Sequence, residues 1–194
     1  MSHFFAIISR IKLINRWGLM QNTRPENLAE HSLQVAMLAH CLVLLHNANC
    51  EDADKISVEK VVLAALYHDV SEIITGDLPT PVKYHNTVIK SAYKEIEKNA
   101  EEHLVNMLPE FLQADYADAI VHTNAEEDVL RFVKAADKLS ALIKCIEEEK
   151  FGNKEFKAAK VSIENILKAM NMPEVDTFMA EFLPSFALTL DEQE

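Results

Sequence analysis

Four residues of this chain carry metal-binding side chains at positions where an apolar face is expected. His31 stands at the start of a long apolar segment, and His68 and Asp69 lie side by side inside LAALYHDVSEII (63–74), one of the most hydrophobic stretches. Asp137 interrupts VLRFVKAADKLSALI (129–143), four residues after Val133 and in the same angular sector of a helix. A buried carboxylate without a partner costs several kcal/mol, so these aspartates call for a cation or strong donors. Two imidazoles and two carboxylates, with no thiolate, suit manganese, cobalt, iron or zinc. Taken singly, each residue has an ordinary reading. His31 could cap a helix, His68 could be a satisfied core histidine, and Asp137 could pair with Lys138 or Arg131. The adjacent His-Asp pair inside an apolar helix is the hardest to explain that way.

Helices must position these groups. Phe4, Ile7, Ile8, Ile11 and Ile14 recur at helical spacing, and a loop containing Pro25 runs from Gly18 to Asn27. Asn27, with Glu30 three residues on, is placed to cap a helix over about 28–46 that is apolar on nearly all sides and therefore central. Ser57 opens another helix, expected to run unbroken to Gly76, and two prolines stiffen the Gly76–Pro81 loop. Amphipathic patterns follow at about 86–107, 110–122, 126–150 and 154–171, punctuated by Pro109, Gly152 and Pro173. No segment has a convincing two-residue period. The expectation is an all-α fold of seven or eight helices around a metal site, one domain over 1–194.

Composition removes several competing classes. With only three glycines in 194 residues, at positions 18, 76 and 152, neither a dinucleotide-binding turn nor a P-loop can be built. Cys41, Cys50 and Cys145 form no C-x-x-C pair, which argues against a disulfide framework and a cysteine zinc site. The charge-free stretch Ser32–Cys50 carries Gln34, His40, His46, Asn47 and Asn49, so a buried helix suits it better than a membrane span. The run Phe4–Ile8 lacks the basic flank and cleavage site of a signal peptide, and a cytoplasmic location is expected. A net charge of −12 disfavours a nucleic-acid polymer as partner. Residues 1–25 nevertheless hold Arg10, Lys12, Arg16 and Arg24 and no acid, where a small anion could dock, although an ordinary solvated face would look the same.

EHS (30–32), YHDVSE (67–72) and KAADKL (134–139) resemble the H…HD…D pattern of the HD-domain metal-dependent phosphohydrolases. SRIKLINRW (9–17), ENLAEHSLQVAMLAH (26–40), TGDLPTPVKY (75–84) and FLPSF (182–186) extend the resemblance over nearly the whole chain, to the bacterial 5′-deoxynucleotidases of that family. The resemblance implies an HD fold with its core over about 28–142, a homodimer, and hydrolysis of deoxyribonucleoside 5′-monophosphates with little base discrimination. It further implies one divalent cation, cobalt or manganese foremost and zinc, iron or copper as alternatives, bound by His31, His68, Asp69 and Asp137. Glu72 matches the catalytic acidic residue. Arg16 matches the group that orients the phosphate, and Trp17 matches a wall of the nucleotide pocket. Asp77, Leu78, Pro79 and Thr80 match the loop that contacts the nucleoside, with His31, Asp69 and Asp137 also facing substrate.

On an unbroken helix Glu72, three residues after Asp69 and four after His68, would project from the same face. A plain exposed glutamate at a helix end is the alternative. His85 and His103 read as surface residues, while His122 leaves a second metal open. Two other functions stand beside the leading one: an HD hydrolase of another phosphoester (a dNTP, an alarmone or a cyclic nucleotide), and a non-catalytic helical interaction module. The larger substrates would want more bases around the pocket than this chain supplies. A module would have no need for Glu72 beside an intact metal set. An oxygenase with two irons would differ in metal count.

Overall fold

Asn27 starts the helix on which the fold is built. Its side-chain oxygen accepts from the N–H groups of Ala29 and Glu30, at 3.0 and 3.1 Å, filling two of the donors a helix start leaves open. The computed structural model describes residues 1–194 apart from Tyr84, Thr123 and Asn124; the side chain of Thr80 also lies outside the described residues. Within it α1 (Phe4–Ile8) continues as a 3-10 turn over Ser9–Leu13 and leads through a loop to α2 (Leu28–Ala48). Next come α3 (Val58–Tyr67), α4 (Glu72–Thr75), α5 (Thr80–Lys83), α6 (Thr87–Asn106) and α7 (Glu110–Ile120). The chain ends with α8 (Glu127–Lys150), α9 (Lys157–Ala169), α10 (Pro173–Glu181) and two 3-10 turns. Among the described residues the only sheet-like pairing is an isolated antiparallel bridge between Asn15 and Asn27, so the all-α expectation holds.

At a mean hydropathy of 1.5, α2 is long and apolar enough to cross a bilayer, but it packs chiefly against α3 and α8. Val35, Ala39, Leu42 and Val43 are fully buried there against Val61, Ala65, Ala135, Ala136 and Leu139. Each large aliphatic side chain removed from water contributes about 1.5–3 kcal/mol, and the small alanines of α3 and α8 let the helix backbones approach. A second cluster joins Phe4 to Val70, Leu104, Val105, Leu108, Ile120 and Val121. The site lies where the start of α2, the end of α3 and the middle of α8 meet.

One expectation needs correction. The helix from Ser57 does not reach Gly76: it ends at Tyr67 and resumes at Glu72. Val70, Glu72 and Ile73 each donate to the carbonyl three residues back, at 3.0, 3.0 and 3.2 Å, and this tighter winding re-aims Asp69 and Glu72. The shared-helix-face argument for Glu72 therefore fails, although its side chain still turns inward. Pro173 separates α9 from α10, as expected, and occupies the first turn of α10, where its missing N–H costs nothing.

The loop before α2 is fastened to α8 by Glu148. This carboxylate is 1% exposed and accepts from the N–H of Thr23 at 2.9 Å, from Asn153 Nδ2 at 2.7 Å and from Lys144 Nζ, which also donates to the Arg24 carbonyl. Burial opposes its charge, but these donors hold its carboxyl down at about 2.

Candidate metal and phosphate site

His31 is fully buried on the first turns of α2, and its tautomer follows from its neighbours. The Ser140 hydroxyl donates to Gln34 Oε1 at 2.6 Å and is left to accept from His31 Nδ1, 3.1 Å away. The proton therefore sits on Nδ1, and Nε2 presents a lone pair. His68, just past the end of α3, does the same by another route: its Nδ1 donates to the Ala65 carbonyl at 2.8 Å. Both Nε2 atoms are buried and make no hydrogen bond. Two imidazole nitrogens with outward lone pairs and no donor to receive are what a cation would satisfy.

The carboxylates face these nitrogens. Asp69 Oδ2 lies 3.2 Å from His68 Nε2 and 3.6 Å from His31 Nε2, and Asp137 Oδ1 lies 3.3 Å from His31 Nε2. One ligand atom from each of His31, His68 and Asp69 falls within 4.8 Å of the other two. Asp137 completes the rim while its second oxygen accepts from Lys138 at 2.9 Å. Burial and the Arg16 cation hold His31 below its ordinary pKa, so it is neutral. Burial also opposes charge on His68, but the adjacent Asp69 outweighs it and raises His68 to about 9, so a proton competes with a cation for the Nε2 lone pair. Both aspartates stay ionised against burial: Asp69 chiefly through His68, and Asp137 through the charges of Lys138 and Arg16.

Arg16 closes the site from the loop. Its Nη1 donates to Asp69 Oδ2 at 3.3 Å, Nη2 lies 3.8 Å from Asp137 Oδ1, and Nε lies 3.4 Å from Glu26 Oε2. Trp17, next in sequence, takes the left-handed conformation at φ 59°, rare for a bulky residue and typical of functional sites. Its ring packs against Phe156 at 5.2 Å between centroids, and Nε1 donates to Glu26 at 2.9 Å.

Glu72 is buried, 3% exposed, and not the surface residue that was its alternative. Its Oε1 accepts from Lys83 Nζ at 2.8 Å, while Oε2 is buried without a partner. Burial and the charge of Asp69 push it up to about 8, against the pull of Lys83. Asp77 acts on both Arg16 and Glu72 through its charge; Leu78 and Pro79 are half-buried beside it. The side chain of Thr80 is outside the described residues.

Of the remaining histidines, His85 and His103 are exposed, as expected. His122 donates its backbone N–H to Glu101 at 3.1 Å and engages the same carboxylate through Nδ1 at 2.5 Å. Sequence reasoning missed Glu26, Lys83, Ser140 and Gln34. Glu26 and Lys83 lie inside quoted motifs, but nothing in their spacing marks them as partners of Trp17 and Glu72.

The fold is shared with solved HD-domain phosphohydrolases. The chain resembles a Listeria innocua HD-domain phosphohydrolase structure at a TM-score of 0.78 and 24% identity, covering 95% of this chain and 88% of that one. It also resembles the cyanophage S-2L HD phosphohydrolase DatZ, bound to dA and one catalytic zinc ion, at 0.65 and 23%, covering 95% and 96%. More narrowly, residues 3–186 match the family model described as 5′-deoxynucleotidase YfbR-like, and the chain belongs to that family. A 5′-deoxynucleotidase of Yersinia pseudotuberculosis is 52% identical over 192 residues, 99% of this chain and 96% of the relative. One of Yersinia pestis is 51% identical over the same shares.

Proposed function

We propose that this protein hydrolyses deoxyribonucleoside 5′-monophosphates to the deoxyribonucleoside and inorganic phosphate. The observation that carries the reading is the pair of unsatisfied buried Nε2 atoms of His31 and His68, facing Asp69 and Asp137 beneath the Arg16 guanidinium. His31, His68, Asp69 and Asp137 would hold one divalent cation. This nitrogen-and-oxygen donor set suits cobalt or manganese and also accepts zinc, iron or copper. When bound, the ion supplies Lewis acidity toward a phosphoryl oxygen and lowers the pKa of water.

The chain's own residues do the rest. Arg16 offers planar N–H donors to the phosphate. Glu72, in the ionised form that Lys83 favours and a bound cation would favour further, receives the proton of the attacking water as the new P–O bond forms, and passes it to the 5′ oxygen as that bond breaks. Trp17 would wall the sugar and leave no room for a 2′-hydroxyl, and Asp77, within the Asp77–Thr80 loop, would accept from the 3′-hydroxyl. Three free cysteines support a cytoplasmic setting. An exposed stripe on α2, with Leu33 at 56%, Met37 at 58% and Leu44 at 47%, supports a homodimer through that face.

The test is phosphate release from matched panels of 5′-deoxyribonucleotides, 5′-ribonucleotides and 3′-monophosphates, with cobalt or manganese added. The 5′-deoxy series should dominate across all four bases. Equal rates on ribonucleotides would overturn the assignment.

A further inference from the structure

Trp17 and Arg16 are adjacent, and one carboxylate reaches both. Glu26 Oε2 accepts from Trp17 Nε1 at 2.9 Å and lies 3.4 Å from Arg16 Nε; its other oxygen lies 3.9 Å from His31 Nδ1. The Glu26 backbone carbonyl also accepts from the Arg16 N–H at 2.9 Å, beside the Asn15–Asn27 bridge. We propose that Glu26 is a positioning residue that keeps Arg16 and Trp17 in one register, and so sets both phosphate affinity and the preference for deoxyribose. The inference rests on the reading of Arg16 and Trp17 given above.

Two features point to Glu26 and not to its neighbours. The Arg16 Nη atoms face Asp69 and Asp137, the same carboxylates assigned to the cation, so an anchor independent of the cation must act at Nε. Glu26 is the group there. At Trp17, Met20 and Asn22 bond only its carbonyl, and Phe156 packs on the ring. The indole N–H is oriented by Glu26, in a residue whose left-handed backbone must be held by its surroundings.

Trp17 is the sole tryptophan, so intrinsic emission reports this position directly. In Glu26→Ala, emission should shift to the red and become more open to a collisional quencher. KM for dAMP should rise roughly tenfold, between the small effect of losing an exposed ion pair and the larger one of losing a buried pair, with a smaller change in kcat. The ratio of kcat/KM for dAMP over AMP should fall toward that of Trp17→Ala. Glu26→Gln keeps an acceptor for the indole but not the charge facing Arg16, so emission and ratio should stay near wild type while KM rises. Native emission with an unchanged ratio in Glu26→Ala overturns the proposal, as does a change confined to kcat. If Glu26→Ala does not fold, Glu26→Gln decides: raised KM supports the role, and wild-type KM refutes it. A wild-type enzyme indifferent to the 2′-hydroxyl would refute the sugar reading instead, and Trp17 emission would still judge Glu26.

Discussion

Replacing Glu72 with alanine should lower kcat for dAMP by roughly 10²–10⁴ and leave the bound metal in place. The expectation follows from where Glu72 sits. It is buried, it stands outside the cluster of His31, His68 and Asp69 ligand atoms, and its Oε2 has no hydrogen-bond partner. A carboxylate held at one oxygen by Lys83 and free at the other is oriented for proton transfer. Its loss should not unfold the site, because Lys83 keeps Glu97 at 3.4 Å and the Tyr93 ring at 4.8 Å. Metal content by elemental analysis and dAMP turnover are the two readouts. Loss of both together would make Glu72 a ligand and contradict the role given to it.

His68→Ala should remove metal retention and turnover in one step. An outer partner of a metal ligand typically contributes 10–100-fold in affinity, and a ligand should exceed that. His68 is the informative choice because its ring is locked. The Nδ1 bond to the Ala65 carbonyl fixes the tautomer, so Nε2 has no other direction in which to offer its lone pair. Alanine suits the helix end, and Asp69 retains Arg16 at 3.3 Å, so the fold around the site should persist. Circular dichroism checks that point. A folded His68→Ala protein that binds metal and turns over dAMP at the native rate would refute the ligand assignment.

The parts of the site legible in the sequence were those that break a local pattern. An adjacent His-Asp pair in an apolar run, an aspartate on the buried face of α8, and Asn27 before a long apolar helix all stand out against helical periodicity. The break at Tyr67 was hidden because the hydrophobic spacing continues through it; no glycine or proline marks a turn made by three-residue backbone bonds. The supporting polar groups were hidden for a different reason. Ser140 meets His31 across 109 positions, and Glu72 and Lys83, though only 11 apart, are brought together by a helix break and a loop. Such pairings depend on tertiary geometry and leave no periodic trace. The left-handed backbone of Trp17 was equally invisible, since a residue that normally avoids that region gives no hint of occupying it.

The central claim is that one cation at His31, His68, Asp69 and Asp137 supports hydrolysis of a deoxynucleoside 5′-phosphate. The most direct measurement is dAMP hydrolysis by chelator-stripped protein as cobalt or manganese is titrated back, with bound metal counted at each point. The account predicts no phosphate release from stripped protein, and activity that rises in proportion to bound metal and saturates at one ion per chain. Full activity in the stripped protein, or saturation only at two ions per chain, would contradict it.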